Sequence, residues 1–264
     1  MEHKIKCFDM KGGAHMKGCF VSGGIFRRDV MFPADATDAH GGVTACALVR
    51  EFQEIAGDHY DALGLGRDTA VSHGCFWALA RTELRFEAIV PPERELWLDS
   101  WAGRQAHGLF WRHYRLSDKA GQTLSRGVSV WLLMDIESRA MTRDRGWVTD
   151  LGGVSQPGEL EATLRRPVIP EELVRRQERT VTPAEADING HLNNASYLCW
   201  ARELLSGEFA QGHLLQSVWI EYKKELPLGH SVELRYQIEG GTLFLRGRAE
   251  DKESFILRAD YDSI

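Results

Sequence analysis

One pattern occurs twice in this chain, and that restricts it to folds made from two copies of a single unit. Pro183 to Leu205 repeats the loop and helix of Pro33 to Leu63, with His191 falling opposite His40. Ile220 to Leu234 (Ile-Glu-Tyr-Lys-Lys-Glu-Leu-Pro…Val-Glu-Leu) repeats Leu84 to Leu98 (Leu-Arg-Phe-Glu-Ala-Ile-Val-Pro…Leu-Trp-Leu). Pro227 opposite Pro91 anchors that register and sets Glu225 opposite Ile89.

Each copy reads as α+β. Thr44 is the expected N-cap of a helix whose Leu48, Phe52, Ile55 and His59 share one face, and Gly64-Leu65-Gly66 ends it. A short strand is expected over Phe20 to Phe26, ahead of the loop Pro33 to Gly42. After the helix the period changes to that of strands: Phe76 to Ala80, Leu84 to Val90, Glu95 to Trp101, Leu109 to Leu116 and Leu124 to Met134. Pro91-Pro92, Ala102-Gly103 and Ser117 to Gly121 are the turns between them. A helix followed by adjacent strands implies an antiparallel sheet. Met141 to Glu178 has no sustained period and carries Gly152-Gly153, Pro157-Gly158, Pro167 and Pro170, which reads as a connection. The division is therefore an extension over 1–17, expected to be poorly ordered, a first unit over 18–140, a connection over 141–178 and a second unit over 179–264.

The chain has 264 residues, 43% of them hydrophobic, with eight Trp and eleven Phe, enough for a sizeable core. A net charge of −6 argues against a nucleic-acid coat, and the longest apolar run, Val130 to Met134, is too short to cross a bilayer. Five cysteines without a Cys-x-x-Cys suggest neither a disulfide framework nor a zinc ribbon. A soluble, cytoplasmic protein is expected.

The second copy carries the reactive chemistry. Asp187, Asn189 and His191 stand at alternate positions, so an extended segment aims them the same way. Asn193-Asn194 then opens a helix from Ala195 to about Leu205, closed by Ser206-Gly207. The trio thus precedes a helix N-terminus, where the backbone N–H groups of Asn194 and Ala195 favour a developing negative charge. In the first copy Ala36, Asp38 and His40 stand opposite the trio and Ile89 opposite Glu225, so only the second copy has the full polar set. The Asp-x-Asn-x-His spacing also matches the start of a calcium loop, but Leu192 and Leu198 stand where that loop needs Gly and Glu.

Asp-x-Asn-x-His-x-Asn-Asn-x-x-Tyr, a helix, and then Glu221 to Glu225 about thirty residues on resemble the acyl-ACP thioesterases of fatty-acid synthesis, ACP being acyl carrier protein. Phe76 to Leu84, the aromatic strand Trp101 to Tyr114, and Ser125 to Trp131 resemble that family's first half in the same order, so the likeness covers roughly residues 20 to 264. It implies two tandem hotdog units, each an antiparallel sheet wrapped around a long helix, and a catalytic group of Asp187, Asn189, His191 and Glu225. Plant members carry a Cys directly after that Glu; here it is Leu226, so a carboxylate mechanism is expected, with Asp187 attacking or Glu225 activating water. His191 is the base or donor, Asn189 a holder of carbonyl or water, and the Asn194 and Ala195 N–H groups the oxyanion hole.

The first unit's aromatic load, with Trp77, Phe86 and Trp101 as substrate-binding residues, suits an acyl tunnel. The resemblance implies acyl-ACP as substrate and partner, no cofactor or metal, and a monomer or homodimer. Lys223, Lys224, Arg202 and Arg175-Arg176 are the candidate basic patch for the acidic carrier. Acyl-CoA hydrolysis, a hotdog dehydratase and a non-catalytic acyl-binding module are the rival readings. Cys199, inside the second helix beside Trp200, reads as packing.

Overall fold

The computed structural model describes residues 6–7, 18–21, 24–142, 146–148 and 166–264. Most of the expected extension and most of the connection over 141–178 lie outside the described residues. The first half contributes β1 (Lys6–Cys7), β2 (Gly18–Phe20), β3 (Phe26–Val30), α1 (Ala45–Ala62), α2 (Arg67–Ser72), β4 (Cys75–Phe86), β5 (Leu96–Ala106), β6 (Leu109–Ser117) and β7 (Thr123–Asp135). The second contributes β8 (Arg175–Thr180), α3 (Ser196–Glu203), α4 (Gly207–Gly212), β9 (His213–Tyr222), β10 (Ser231–Glu239), β11 (Thr242–Ala249) and β12 (Lys252–Ser263).

α1 forms where the sequence places it. The Thr44 hydroxyl accepts from the Ala47 N–H, and Leu48, Phe52, Ile55 and His59 are all buried. Gly64, at φ +71°, turns the chain out of the helix. Burying each large apolar side chain of this face stabilises the fold by about 1.5–3 kcal/mol relative to exposure. Phe52 stacks on Tyr114 of β6 at 4.3 Å and lies over Gly127 of β7, where any Cβ would stand 2.2 Å from its ring.

Among the described residues the strands join one twelve-stranded antiparallel sheet in the order β1-β2-β3-β5-β6-β7-β4-β9-β12-β11-β10-β8. The run β3-β5-β6-β7-β4 returns in reverse as β9-β12-β11-β10-β8, so the two halves have the same strand order and meet edge to edge at β4 and β9. The seam is symmetric at the level of single residues. The alignment of Pro91 with Pro227 puts Glu83 opposite Trp219, and these two are direct partners across β4 and β9. One hydrophobic core runs under both halves, from Leu48 and Phe52 to Leu198, Trp200 and Leu257.

Three strand boundaries differ from the sequence reading. Phe76 to Ala80 and Leu84 to Val90 are one strand, β4, with an irregularity between Leu79 and Arg81, and it ends at Phe86. β5 continues through Ala102-Gly103, which is a bulge and not a turn; the turn is His107-Gly108, both at positive φ. Gly103 is there because a Cβ would meet the His113 ring at 2.5 Å. The strand expected over Phe20 to Phe26 is divided between β2 and β3.

Candidate active site

The loop before α3 is fixed by two carboxylates. Glu185 accepts from the Thr182 N–H (2.9 Å), the Thr182 hydroxyl (2.7 Å) and the Trp200 indole (2.6 Å), while its own carbonyl accepts from Asn193 N–H (2.9 Å). Partial burial pushes its pKa up, but these hydrogen bonds and Arg179 outweigh that and leave it lowered. Asp187 Oδ1 accepts from the N–H groups of Asn189 (2.8 Å) and His191 (3.2 Å), and Gly190 closes the turn at φ +75°. The Asn189 side chain donates to Asp187 Oδ2 at 3.4 Å.

Backbone pairing then carries His191 to Glu225. Leu192 N–H donates to the Leu226 carbonyl (2.8 Å), Leu228 N–H to the Gly190 carbonyl (2.9 Å), and His191 bridges Pro227. His191 Nε2 comes to 3.8 Å from Glu225 Oε2. The same oxygen takes an ion pair from Arg139, which follows β7 in the other half and also lies over the Phe76 ring. His191, Glu225, Lys224, His230 and Glu250 line a cleft of about 170 Å³ beside this pair. Beneath it the buried Tyr197 has its pKa raised, by burial first and then by the charges of Glu225 and Asp187. The arrangement offers a carboxylate held by a guanidinium, an imidazole facing it and room for a small molecule. That set can activate water and move a proton.

The helix start differs from expectation. Ala195 N–H already donates to Asn193 Oδ1 at 2.9 Å, so it is not a free oxyanion donor. Asn194 is held on both sides, its carbonyl accepting from the Tyr222 hydroxyl (3.0 Å) and its amide donating to Gln53 of α1 (3.4 Å). Arg139 and Gln53 were not legible as site residues, because each comes from an element remote in sequence from the motif, and Tyr222, inside the Glu221 to Glu225 run, gave no sign of its contact with Asn194.

A cavity of about 480 Å³ lies elsewhere, between the start of α1 and the end of α3. Phe86 lines it. Trp77 and Trp101, expected as tunnel residues, do not: Trp77 packs on Tyr60 and Phe110 and donates to the Leu65 carbonyl, and Trp101 is buried against His113. Trp101 is a core residue of the first half, and Trp77 is partly buried against a smaller cluster with Phe110 and Leu133. Most cations of the expected basic patch are engaged locally: Lys223 with Glu253, Lys224 with Glu250, Arg176 with Glu178 and Glu233. Arg202 donates to the Thr37 carbonyl at 3.4 Å, joining the halves.

The two half-sites correspond with a register two residues away from that read in the sequence. Asp38 N–H donates to the Gly42 carbonyl as Asp187 N–H does to His191, and Val43 N–H donates to Val90 as Leu192 N–H does to Leu226. Gly41 and Gly190 are both at positive φ. Asp38 therefore stands opposite Asp187, His40 opposite Asn189 and Gly42 opposite His191, while Ile89 stays opposite Glu225. Hydrogen bonding, not residue type, fixes this register. His40 binds the Ala210 and His213 carbonyls (2.9 and 3.1 Å).

Two family models match the chain: the acyl-ACP thioesterase N-terminal domain over residues 23–145 and the acyl-ACP thioesterase C-terminal domain over residues 171–259. A chloroplastic acyl-[acyl-carrier-protein] hydrolase of Cuphea viscosissima is 22% identical, over 95% of this chain and 68% of its own length. A chloroplastic palmitoyl-acyl carrier protein thioesterase of Cuphea hookeriana is 23% identical over 85% of this chain, which spans 58% of that relative. The fold matches the crystal structure of an acyl-ACP thioesterase from Bacteroides thetaiotaomicron (TM-score 0.81, 18% identity, 90% of this chain and 98% of that one). It also matches the 12:0-ACP thioesterase of Umbellularia californica (TM-score 0.81, 18% identity, 93% of this chain and 100% of that one).

Proposed function

The chain belongs to the acyl-ACP thioesterase family, and from that premise we propose that it hydrolyses fatty acyl-ACP to free fatty acid and holo-ACP. The observation that carries the reading is the His191–Glu225 pair, 3.8 Å apart at an open cleft, where the first half has Gly42 and Ile89. Glu225 is the group that activates water. Its Oε2 is engaged by Arg139 and faced by His191, and Oε1 is left for the nucleophile. Water adds to the thioester carbonyl, its proton passes to the Glu225 and His191 pair, and the tetrahedral intermediate expels the thiolate, which takes that proton. Asn189 and the Asn194 N–H hold the carbonyl oxygen. Asp187 builds the loop that presents them, since both its Oδ1 contacts are to backbone.

Each half is one hotdog unit, the first over 18–140 and the second beginning with β8 at Arg175, a few residues before the 179 read in the sequence, which the shared strand order supports. Because Arg139 of the first half meets Glu225 of the second, one chain carries a complete site. Cys46, Cys75 and Cys199 are free thiols, which fits a reducing compartment such as the cytoplasm, and among the described residues no helix is long and apolar enough to cross a membrane.

The test is thiol release from acyl-ACP and the matching acyl-CoA by the wild type and by Glu225→Gln and His191→Ala. Fast release from acyl-ACP that both variants lose supports the proposal. Fatty-acid binding with no thiol release would make the protein an acyl-binding module, and preference for acyl-CoA would reassign the carrier.

A further inference from the structure

Two segments meet at Glu225, and both carry apolar side chains that the fold leaves uncovered. The first is the turn Asp187 to His191 with the chain bonded to it. Ile188, at the tip of that turn, is 82% exposed, and Leu228, whose N–H donates to the Gly190 carbonyl at 2.9 Å, is 46% exposed. The second is the turn after β7 that brings Arg139 to Glu225, and it carries Ile136 and Met141, 40% and 42% exposed. Four of the eleven exposed large hydrophobics among the described residues thus lie on these two short segments. Single surface hydrophobics are ordinary, but a group of them around a reactive cleft marks an interaction surface.

The turn itself does not call for them. Asp38 stands opposite Asp187, so Ala39 stands opposite Ile188, and Pro92 stands opposite Leu228 in the register of Pro91 with Pro227. Both turns make the same aspartate-to-backbone hydrogen bonds, with a small residue at one tip and a large apolar one at the other. Charge is balanced at the same place. Lys224, which lines the cleft, pairs with Glu250 at 2.8 Å, and Arg139 pairs with Glu225. These cations are compensated within a chain whose net charge is −6.

We propose that this apolar rim, with Ile188 and Leu228 as its main contacts, is where the carrier protein docks, by hydrophobic contact in place of charge pairing. The inference rests on the proposed hydrolysis of acyl-ACP. A thioester that reaches Glu225 through the cleft arrives on a phosphopantetheine arm, and the protein that bears the arm sits on the surface around the cleft mouth. An acidic carrier approaching a chain of net charge −6 gains nothing from long-range attraction. The attraction comes at contact, from apolar surface removed from water.

Fluorescently labelled holo-ACP is titrated with the full chain and binding is read by anisotropy. The proteins are the wild type, the double variant Ile188→Ser with Leu228→Ser, and Met31→Ser, which alters an exposed apolar residue after β3. The double variant is expected to weaken binding by about tenfold or more, and Met31→Ser to leave it unchanged. Raising salt from about 50 to 300 mM is expected to change wild-type affinity by less than about threefold. The double variant also raises KM for acyl-ACP to the same degree, while its kcat/KM for the matching acyl-pantetheine, which lacks the carrier, stays within about twofold. Equal binding by wild type and double variant, a steep fall of wild-type affinity with salt, or no binding to the wild type would each overturn the docking surface. Acyl-ACP hydrolysis indifferent to the double variant would sink the surface and leave the proposed activity standing. Binding at the rim without thiol release would keep the surface and remove the activity.

Discussion

Asp38 and Asp187 build the same turn in the two halves. Asp38 Oδ1 accepts from the N–H groups of His40 (2.9 Å) and Gly42 (3.1 Å), and Asp187 Oδ1 accepts from those of Asn189 (2.8 Å) and His191 (3.2 Å). The first-half copy does this where the pair facing it is Gly42 and Ile89, groups with no acid–base chemistry. The shared aspartate is accordingly a feature of the turn, and the differences between the copies locate the reaction.

It follows that Asp187→Asn, which keeps an oxygen acceptor, retains kcat within about tenfold, whereas Asp187→Ala loses both backbone contacts and lowers Tm. Each hydrogen bond to a charged group contributes roughly 1.5–3 kcal/mol. Steady-state kinetics beside thermal melts decide the matter: a hundredfold loss of kcat in Asp187→Asn at unchanged Tm would make the carboxylate a reactant.

Glu225→Gln and His191→Gln are each expected to lower kcat by about 10²–10⁴ with little change in KM, the range for loss of a general acid or base. Their double variant is expected to lose little more than the worse single, since the two act as a unit. A fully additive double-mutant cycle would separate their roles. Introducing His191→Gly together with Glu225→Ile copies the first-half pair, and this protein is expected to fold and be inactive.

His59 gives the fold an acid limit. Burial, with a lesser effect of Arg112, lowers its pKa to about 2, and its Nδ1 accepts from Arg112 Nη1 at 2.7 Å. The unfolded chain has an ordinary histidine there, with pKa ~6.5. Protonation therefore favours unfolding: this contribution to stability is complete above ~6.5 and is lost as pH falls, by up to about 1.36 kcal/mol per unit. His59→Gln keeps an acceptor for Arg112 and removes the titration. Urea midpoints between pH 7 and 4.5 are expected to fall less steeply in the variant, and parallel curves would contradict this assignment.

Gly127→Ala is expected to destabilise by about 1–3 kcal/mol, since its Cβ would meet the Phe52 ring, which is stacked on the neighbouring Tyr114. Adding Phe52→Leu is expected to recover part of the loss in chemical denaturation. No recovery would mean that the backbone of β7, and not the ring, is what resists.

Much of the site was legible without coordinates. Thr44 as a cap, the α1 face through His59, and the correspondence of Glu225 with Ile89 all follow from local chemistry and from the repeat. His191 and His40 were paired on residue type, yet the turn counts from its aspartate, and hydrogen bonds set His191 against Gly42. Trp77 and Trp101 were read as tunnel lining because an aromatic side chain has the same appearance in sequence whether it faces a cavity or a core.

The sequence alone determined the recurrence of the loop-and-helix pattern, the class of α1 and of the first-half strands after it, and the polar set near α3, because periodicity, capping and repetition act over neighbouring residues. Only the tertiary structure decided which residues meet. The β4–β9 seam, the reach of Arg139 to Glu225 and the hydrogen bond of Asn194 to Gln53 each join positions from different halves. Such contacts are set by the packing of one half on the other, and no local pattern records them.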